Sequence, residues 1–488
     1  MNNHAPFLKH SSLEISDCCY PTQPNQRICD SSILNYNYSD FTSCNEYIFD
    51  NSVYKSTTIS EFNLVCKNAW LADLTTSLYY AGFGIGGVIS GFLSDKYGRK
   101  INLIIFAILL LISDIYTAFV PNIEIFSLMR FINGFLANAI IVPGYILTME
   151  YIGNSYRSAM TNFSTGCFAF GIMLLSYPFA YLLNEWRDLQ LWICVSTLPT
   201  IILGSIFLPK SYKFLISQGK SEEAYEVACN MMVKNKSICH QNGAYDVSED
   251  SKNHLKENIE IQCLEVNNKK ENKNASLIDV WQNKNMRKIT LNLMFNWFVN
   301  SMVYYGLSLN CGSLPGSDIF NNFINGLIEM PAYIVFPFFL RSKRFGRVGT
   351  LGYFLILGGI CCLASTLFLE FRSCDSNDKD TFSLLGQILA YLGKFCIAGT
   401  FAIDYNYAAE IFPAEIRSNG LAICSFAARI AGIISPFILS LSNYFSWLPG
   451  VIFAVLAVVA GGLTFFMPET LGRPLLSTMA ETDLEYFS

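Results

Sequence analysis

Charge is scarce in this chain. Asp, Glu, Lys and Arg make up 15% of its 488 residues, where soluble domains carry about 25%. That excludes an ordinary soluble globular protein. No run of Lys and Arg stands out either, so nucleic acid is not an expected partner. Histidine is scarcer still: His4, His10, His240 and His254 all lie in polar stretches, and none shares a metal-ligand spacing. Nothing reads as an enzyme, and no cofactor or metal is expected. The glycines from Gly82 to Gly91 lie inside an apolar run, where they let helices approach closely rather than cradle a phosphate. No apolar segment follows Met1, so a cleaved leader is not indicated. Pro, Gly and Ser do not mark off separate soluble domains.

What the chain has in quantity is apolar sequence. Hydrophobic residues make up 52%, with 39 Phe and 26 Tyr, and mean hydropathy is +0.33. About 20 apolar residues span a bilayer as a helix. Such runs fall near 69–92, 101–120, 124–151, 162–183, 189–208, 289–310, 319–340, 349–369, 382–409, 420–442 and 447–467. The expected fold is an all-α membrane protein with eleven visible spans. Cations collect in alternate loops: Lys96, Arg99 and Lys100; Arg157, Lys210 and Lys213; Arg341 to Arg347; Arg417; and Arg473. The positive-inside rule assigns these to the cytoplasm. Residues 1–68 then lie outside, most simply at the plasma membrane, with the C-terminus inside. Cys18, Cys19, Cys29, Cys44 and Cys66 fit that side as an oxidised module. Asn37-Tyr38-Ser39 is a glycosylation sequon there.

The spans come in two sets. Residues 69–208 form an N-terminal bundle and 289–467 a C-terminal one. A cytoplasmic loop, 209–288, separates them, and a tail, 468–488, follows. The sets repeat each other: Asp95-Lys-Tyr-Gly-Arg99 is matched by Lys343-Arg-Phe-Gly-Arg347, and Glu150 and Glu410 each stand seven residues before Arg157 and Arg417. A duplicated bundle predicts a transporter with its substrate between the halves.

Asp95, Gly98, Arg99 and Lys100 resemble the loop between the second and third helices of the major facilitator superfamily. Within it, the stretch Ser56 to Cys66, Trp186-Arg187 with Leu189-Gln190, Trp297-Phe298, Tyr304 to Leu307, Glu329-Met-Pro331, Glu410 to Pro413 and Pro468-Glu469-Thr470 resemble the organic cation, anion and carnitine transporters of solute carrier family 22. The resemblance implies two pseudo-symmetric bundles and twelve helices, the first ahead of the outer region. A missing N-terminal piece is therefore expected. It also implies a small organic ion as substrate, the lipid bilayer as surroundings, and a coupling ion or exchanged counter-substrate. Pro209-Lys210-Ser211-Tyr212 and Lys343 depart from the family pattern, which keeps a transport-dead paralogue or a membrane sensor open.

Ionisable residues inside spans face a cavity or a partner. Arg429 lies nine residues into its span, about 13 Å deep, and an Arg fork suits a carboxylate. Lys394 is either a second carboxylate contact or the partner of Glu329. Asp114 and Glu329 are mid-span carboxylates that either meet a cation, with Glu329 a candidate substrate contact, or have structural partners, the favoured reading, while Asp404 sits nearer the cytoplasmic end. Arg130 and Gly134 belong to a further superfamily motif. Trp297, Tyr304 and Tyr305 share a helix face, either packed or lining a cavity for an ammonium group. Asp95, Gly98, Arg99, Glu150, Arg157, Arg347, Glu410 and Arg417 are expected to form one charge network at the cytoplasmic gate. The substrate expectation leans to an organic anion or a carnitine-like zwitterion, with an organic cation as the alternative.

Overall fold

The computed structural model describes residues 19–21, 41–43, 49, 54–152, 182–240, 277–371, 379–413, 416–473 and 479–487, with a few positions at 160–173 and 256–261. Asn37, Arg157 and most of the span expected at 162–183 fall outside them, as does any pairing of the N-terminal cysteines. Ten of the expected spans are met by helices: α2 Trp70–Tyr97, α3 Arg99–Ala118, α4 Ile123–Tyr151, α5 Trp186–Phe207, α9 Lys284–Leu309, α10 Asp318–Arg341, α11 Gly346–Phe371, α12 Lys379–Ile411, α13 Arg417–Ser440 and α14 Leu448–Thr464. The other helices are α1 Thr58–Glu61, α6 Tyr212–Ser217, α7 Ser221–His240, α8 Leu277–Gln282 and α15 Met479–Phe487. Two short strands, Cys19–Pro21 and Phe41–Ser43, pair antiparallel.

Seven of these helices are long and apolar enough to cross a bilayer. Helices α2 and α9 fall short because both carry polar residues that meet protein rather than lipid. Thr290, Asn296, Asn300 and Ser301 of α9 are wholly buried, as are Ser90 and Ser94 of α2. Helix α14 is apolar but only 17 residues long.

The expected loop at 91–100 is shorter than its composition suggests. Helix α2 runs through Asp95 to Tyr97, and a single residue, Gly98 at φ 96°, breaks it before α3 begins. Gly346, at φ 65°, plays the same part before α11, and a Cβ there would collide with the Glu469 carboxylate. Both turns need a residue without a side chain.

Helices α2, α3, α4 and α5 pack as one group, and α9 to α14 as another. In the first group the α2–α4 contact is backbone on backbone. A Cβ on Gly82 or Gly86 would strike the carbonyl oxygen of Phe131 or Phe135, and one on Gly134 that of Tyr79. The groups meet where α2 crosses α13. There Ser77 Oγ donates to the Ile433 carbonyl at 2.8 Å, and Ser440 hydrogen-bonds Asp73.

Two stretches singled out in the sequence are partners. The Lys55 amide donates to the Asn184 carbonyl at 2.9 Å. Glu61 accepts from Trp186 Nε1 at 2.6 Å and forms an ion pair with Arg187. Arg187 also donates to the carbonyls of Ala118 and Val120, at the end of α3. Burial pushes the Glu61 carboxyl up, but the hydrogen bonds from Arg187 and Trp186, with the Arg187 charge, outweigh it and hold the carboxyl below its ordinary range.

Two outcomes are expected. Gly82→Leu or Gly134→Leu removes most of the monodisperse protein extracted in mild detergent, while Gly91→Leu, where a side chain meets open space, does not. A carboxyl with a lowered folded-state pKa stabilises above its unfolded value of about 4.3 and loses that stabilisation as pH falls through the folded value. Thermal unfolding across pH should therefore show Glu61→Gln less stable than wild type at neutral pH, the difference closing below about pH 4.

Candidate functional site between the helix groups

Arg429 stands at the crossing of α2 and α13. Its guanidinium lies over the Phe83 ring, 4.6 Å from the centroid, and Nη1 donates to the Tyr305 hydroxyl at 3.4 Å. Gly84 faces its stem so closely that a Cβ would come within 3.2 Å. Among the described residues Arg429 has no carboxylate partner. Tyr80 packs at a tilt against Tyr305, ring centroids 4.5 Å apart, and Tyr79 holds the Arg130 guanidinium 4.6 Å above its ring. One half-buried cation and three aromatic rings, Tyr80, Phe83 and Tyr305, thus meet where the two groups touch. Neither Tyr80 nor Phe83 was singled out in the sequence; their signal is their position on the glycine-bearing helix.

The other expected substrate contacts lie deeper in the second group. Lys394 Nζ is 3.0 Å from Glu329 Oε1, and the two residues are each 1% exposed. Lys394 also donates to Ser308 Oγ at 2.5 Å and sits 3.4 Å above the Tyr304 ring. Glu329 Oε2 accepts from Tyr304 at 2.9 Å and from Tyr333 at 3.2 Å. Of the two readings open for Lys394, the structure adopts the pairing with Glu329. A cavity reaches Lys394 and is also lined by Asn310, Cys311, Asn325 and Tyr391. Trp297 is wholly buried, 4.3 Å from Tyr405, and Tyr304 stacks on Phe401 at 5.6 Å. The expected shared wall of Trp297, Tyr304 and Tyr305 therefore divides: Tyr305 reaches α2, and the other two pack inside. Asp114 accepts from Gln190 at 3.1 Å.

The expected gate network is two clusters in this state. In one, Arg99 pairs with Glu150 and lies 3.8 Å from Asp95, and Ser211 Oγ donates to Glu150 at 2.5 Å. In the other, Arg347 pairs with Glu410 at 3.0 Å, Thr470 Oγ1 donates to Glu410 at 2.6 Å, and the Glu469 carboxylate accepts the amides of Arg347 and Val348 at 2.8 and 3.0 Å. Arg417 donates to the Phe412 carbonyl at 3.1 Å. Each named ion pair stays within its own group, because its partners lie on neighbouring helices of one bundle.

Residues 33–480 match the family model for sugar (and other) transporters. An organic cation transporter protein of Drosophila melanogaster is 31% identical over 440 residues, covering 90% of this chain and 76% of that protein. Human organic cation/carnitine transporter 2 is 31% identical over 434 residues, covering 88% and 72%. Solute carrier family 22 member 15 of Xenopus tropicalis is 32% identical over 425 residues, covering 87% and 74%. This chain belongs to solute carrier family 22. An inward-open structure of the xylose transporter XylE from E. coli superposes with a TM-score of 0.64 at 18% identity, covering 88% of this chain and 94% of that one, so the fold is that of the major facilitator superfamily. The family member described here is a multi-pass membrane transporter of a small molecule, not an enzyme.

Removing one member of a buried ion pair costs about 3–5 kcal/mol, whereas replacing both with apolar residues is often neutral. Lys394→Met and Glu329→Leu are each expected to reduce folded yield and lower the melting temperature. The double variant should recover most of both, measured by thermal unfolding in detergent.

Proposed function

We propose that this transporter carries a small organic anion or a carnitine-like zwitterion by alternating access, with Arg429 as the carboxylate anchor. The observation that carries the reading is that Arg429, among the described residues, has no carboxylate partner. A half-buried cation at the junction of two helix groups, held by a ring face and a hydroxyl, keeps its fork free for an oxyanion. Tyr80, Phe83 and Tyr305 supply faces that suit the apolar or ammonium part of a zwitterion. Lys394 and Glu329 then act by shaping the pocket floor through Tyr304 rather than by touching the substrate.

Alternating access follows from where the groups touch. Residues 69–208 and 289–467 move as two bundles about the α2–α13 crossing. Residues 1–68 lie outside at the plasma membrane, and the tail from 468 lies in the cytoplasm. Contacts at Asp73, Ser77, Ile433 and Ser440 close the outer side. The Arg99–Glu150 and Arg347–Glu410 clusters brace each bundle at the inner side, and they re-pair across the gap when the inner side closes. The second reading is an organic cation facilitator. The aromatic faces favour it, as do the relatives named for organic cations.

Tracer uptake by cells expressing the chain distinguishes the two. Carnitine or a dicarboxylate is compared with tetraethylammonium, each with Arg429→Ala alongside at matched surface expression. Carboxylate uptake is expected to fall at least tenfold in the variant. Tetraethylammonium uptake that survives the change, with no carboxylate uptake in wild type, selects the cation reading.

A further inference from the structure

We propose that Asp404 is a proton-binding carboxyl that couples proton movement to the transport cycle. The inference rests on the transporter reading above but not on the choice of substrate. Asp404 lies on α12, seven residues before its last residue, and is 0% exposed. Oδ2 accepts one hydrogen bond, from Asn300 Nδ2 at 2.6 Å, and Oδ1 has no hydrogen-bond partner. Thr400 Oγ1 lies 2.9 Å from Asn300 Oδ1 and 3.0 Å from the Ile397 carbonyl, so its one hydrogen is shared between them.

Among the described residues no cation pairs with Asp404. On α12 itself, Lys394 is taken by Glu329, and Glu410 by Arg347 of α11. On α9, Lys284, Arg287 and Lys288 stand twelve or more residues before Asn300. On α13, Arg417 is engaged by the Phe412 carbonyl and Arg429 by Phe83 and Tyr305. Asp318, Glu329 and Arg341 of α10, Glu370 of α11, and Lys379 and Asp380 at the far end of α12 are the remaining charged groups of α10, α11 and α12. The Cys424 thiol and the Tyr405 phenol lie close enough to feel a charge on Asp404. Neither supplies positive charge.

An ionised carboxylate here would be buried with one amide donor and a bare oxygen, a far worse exchange for lost hydration than a neutral carboxyl. A metal cation fits no better, because the donor side of Asn300 faces the carboxyl and, among the described residues, no three His, Cys, Asp or Glu side chains gather. A proton on Oδ1 removes the charge. Tyr405, the next residue in the chain, is 39% exposed, so α12 reaches the protein surface one position from Asp404. When the bundles move and water enters past Tyr405, the O–H bond breaks, the proton passes to water and the electron pair stays on Oδ1. Reprotonation from the other side of the membrane completes the cycle, with one proton moved per turnover.

Infrared difference spectra of the full chain in lipid test the first half without any substrate. Wild type at neutral pH is expected to show a protonated-carboxyl carbonyl band that shifts in D2O and is missing in Asp404→Asn. In Asn300→Ala the band should move to higher frequency, which keeps the assignment testable if Asp404→Asn folds poorly. Proteoliposomes test the second half. With the membrane potential clamped at zero and acid outside, carnitine or tetraethylammonium should accumulate up to about tenfold per unit of pH difference in wild type. In Asp404→Asn the ratio of accumulation to exchange should fall to that without a gradient. The proposal is overturned by the absence of the Asp404-dependent band, or by exchange without pH-driven accumulation in wild type. Absence of exchange with either probe in wild type would instead count against the transporter reading, and the infrared band would still decide the proton site.

Discussion

Helix α2 has no spare room on two of its faces, and most of the arrangement depends on that. Inside a bilayer, apolar side chains gain little by leaving lipid for protein, so helices associate through close packing and hydrogen bonds. Gly82, Gly86 and Gly134 bring α2 and α4 to backbone contact. On its other side α2 meets α13 through Ser77 and Asp73. The helix that locks the first group together is therefore also the helix by which that group touches the second. Tyr80 and Phe83 arrive at the junction because they lie between these two constraints.

Charge is distributed by the same low-dielectric logic. Lys394 with Glu329, Arg99 with Glu150, and Arg347 with Glu410 are each neutralised by a neighbour in their own group. Each pair braces a bundle and leaves no demand on the other bundle. Against that background the uncompensated groups stand out. Arg429 has a ring face and a hydroxyl but no carboxylate. Asp404 has an amide but no cation. One is half-buried at the junction and the other wholly buried beside it, a difference of surroundings that separates binding an anion from carrying a proton.

Much of the fold was legible because span length and loop charge are local properties. Gly98 and the repeat around Arg347 are visible as residue patterns, and the two breaks with positive φ lie at Gly98 and Gly346. Partner choice was not legible. Glu61 and Arg187 are far apart in the chain, and nothing local says that one caps the other. Trp297 and Tyr304 share helical spacing with Tyr305, yet spacing cannot say which neighbours cover each ring. Asp404 reads as a carboxylate near a helix end, and its burial depends on Asn300 from another helix and on Thr400.

Composition and hydropathy by themselves determined that this chain is a multi-helix membrane protein, because backbone polar groups in lipid must be satisfied within helices. The matched motifs of the two halves gave the repeated bundle, and their resemblance pointed to solute carrier family 22. Tertiary structure alone decided which charges are cancelled and which are left over. A Coulomb interaction depends on distance and on the water excluded around it, and both are set only when helices distant in the chain come into contact.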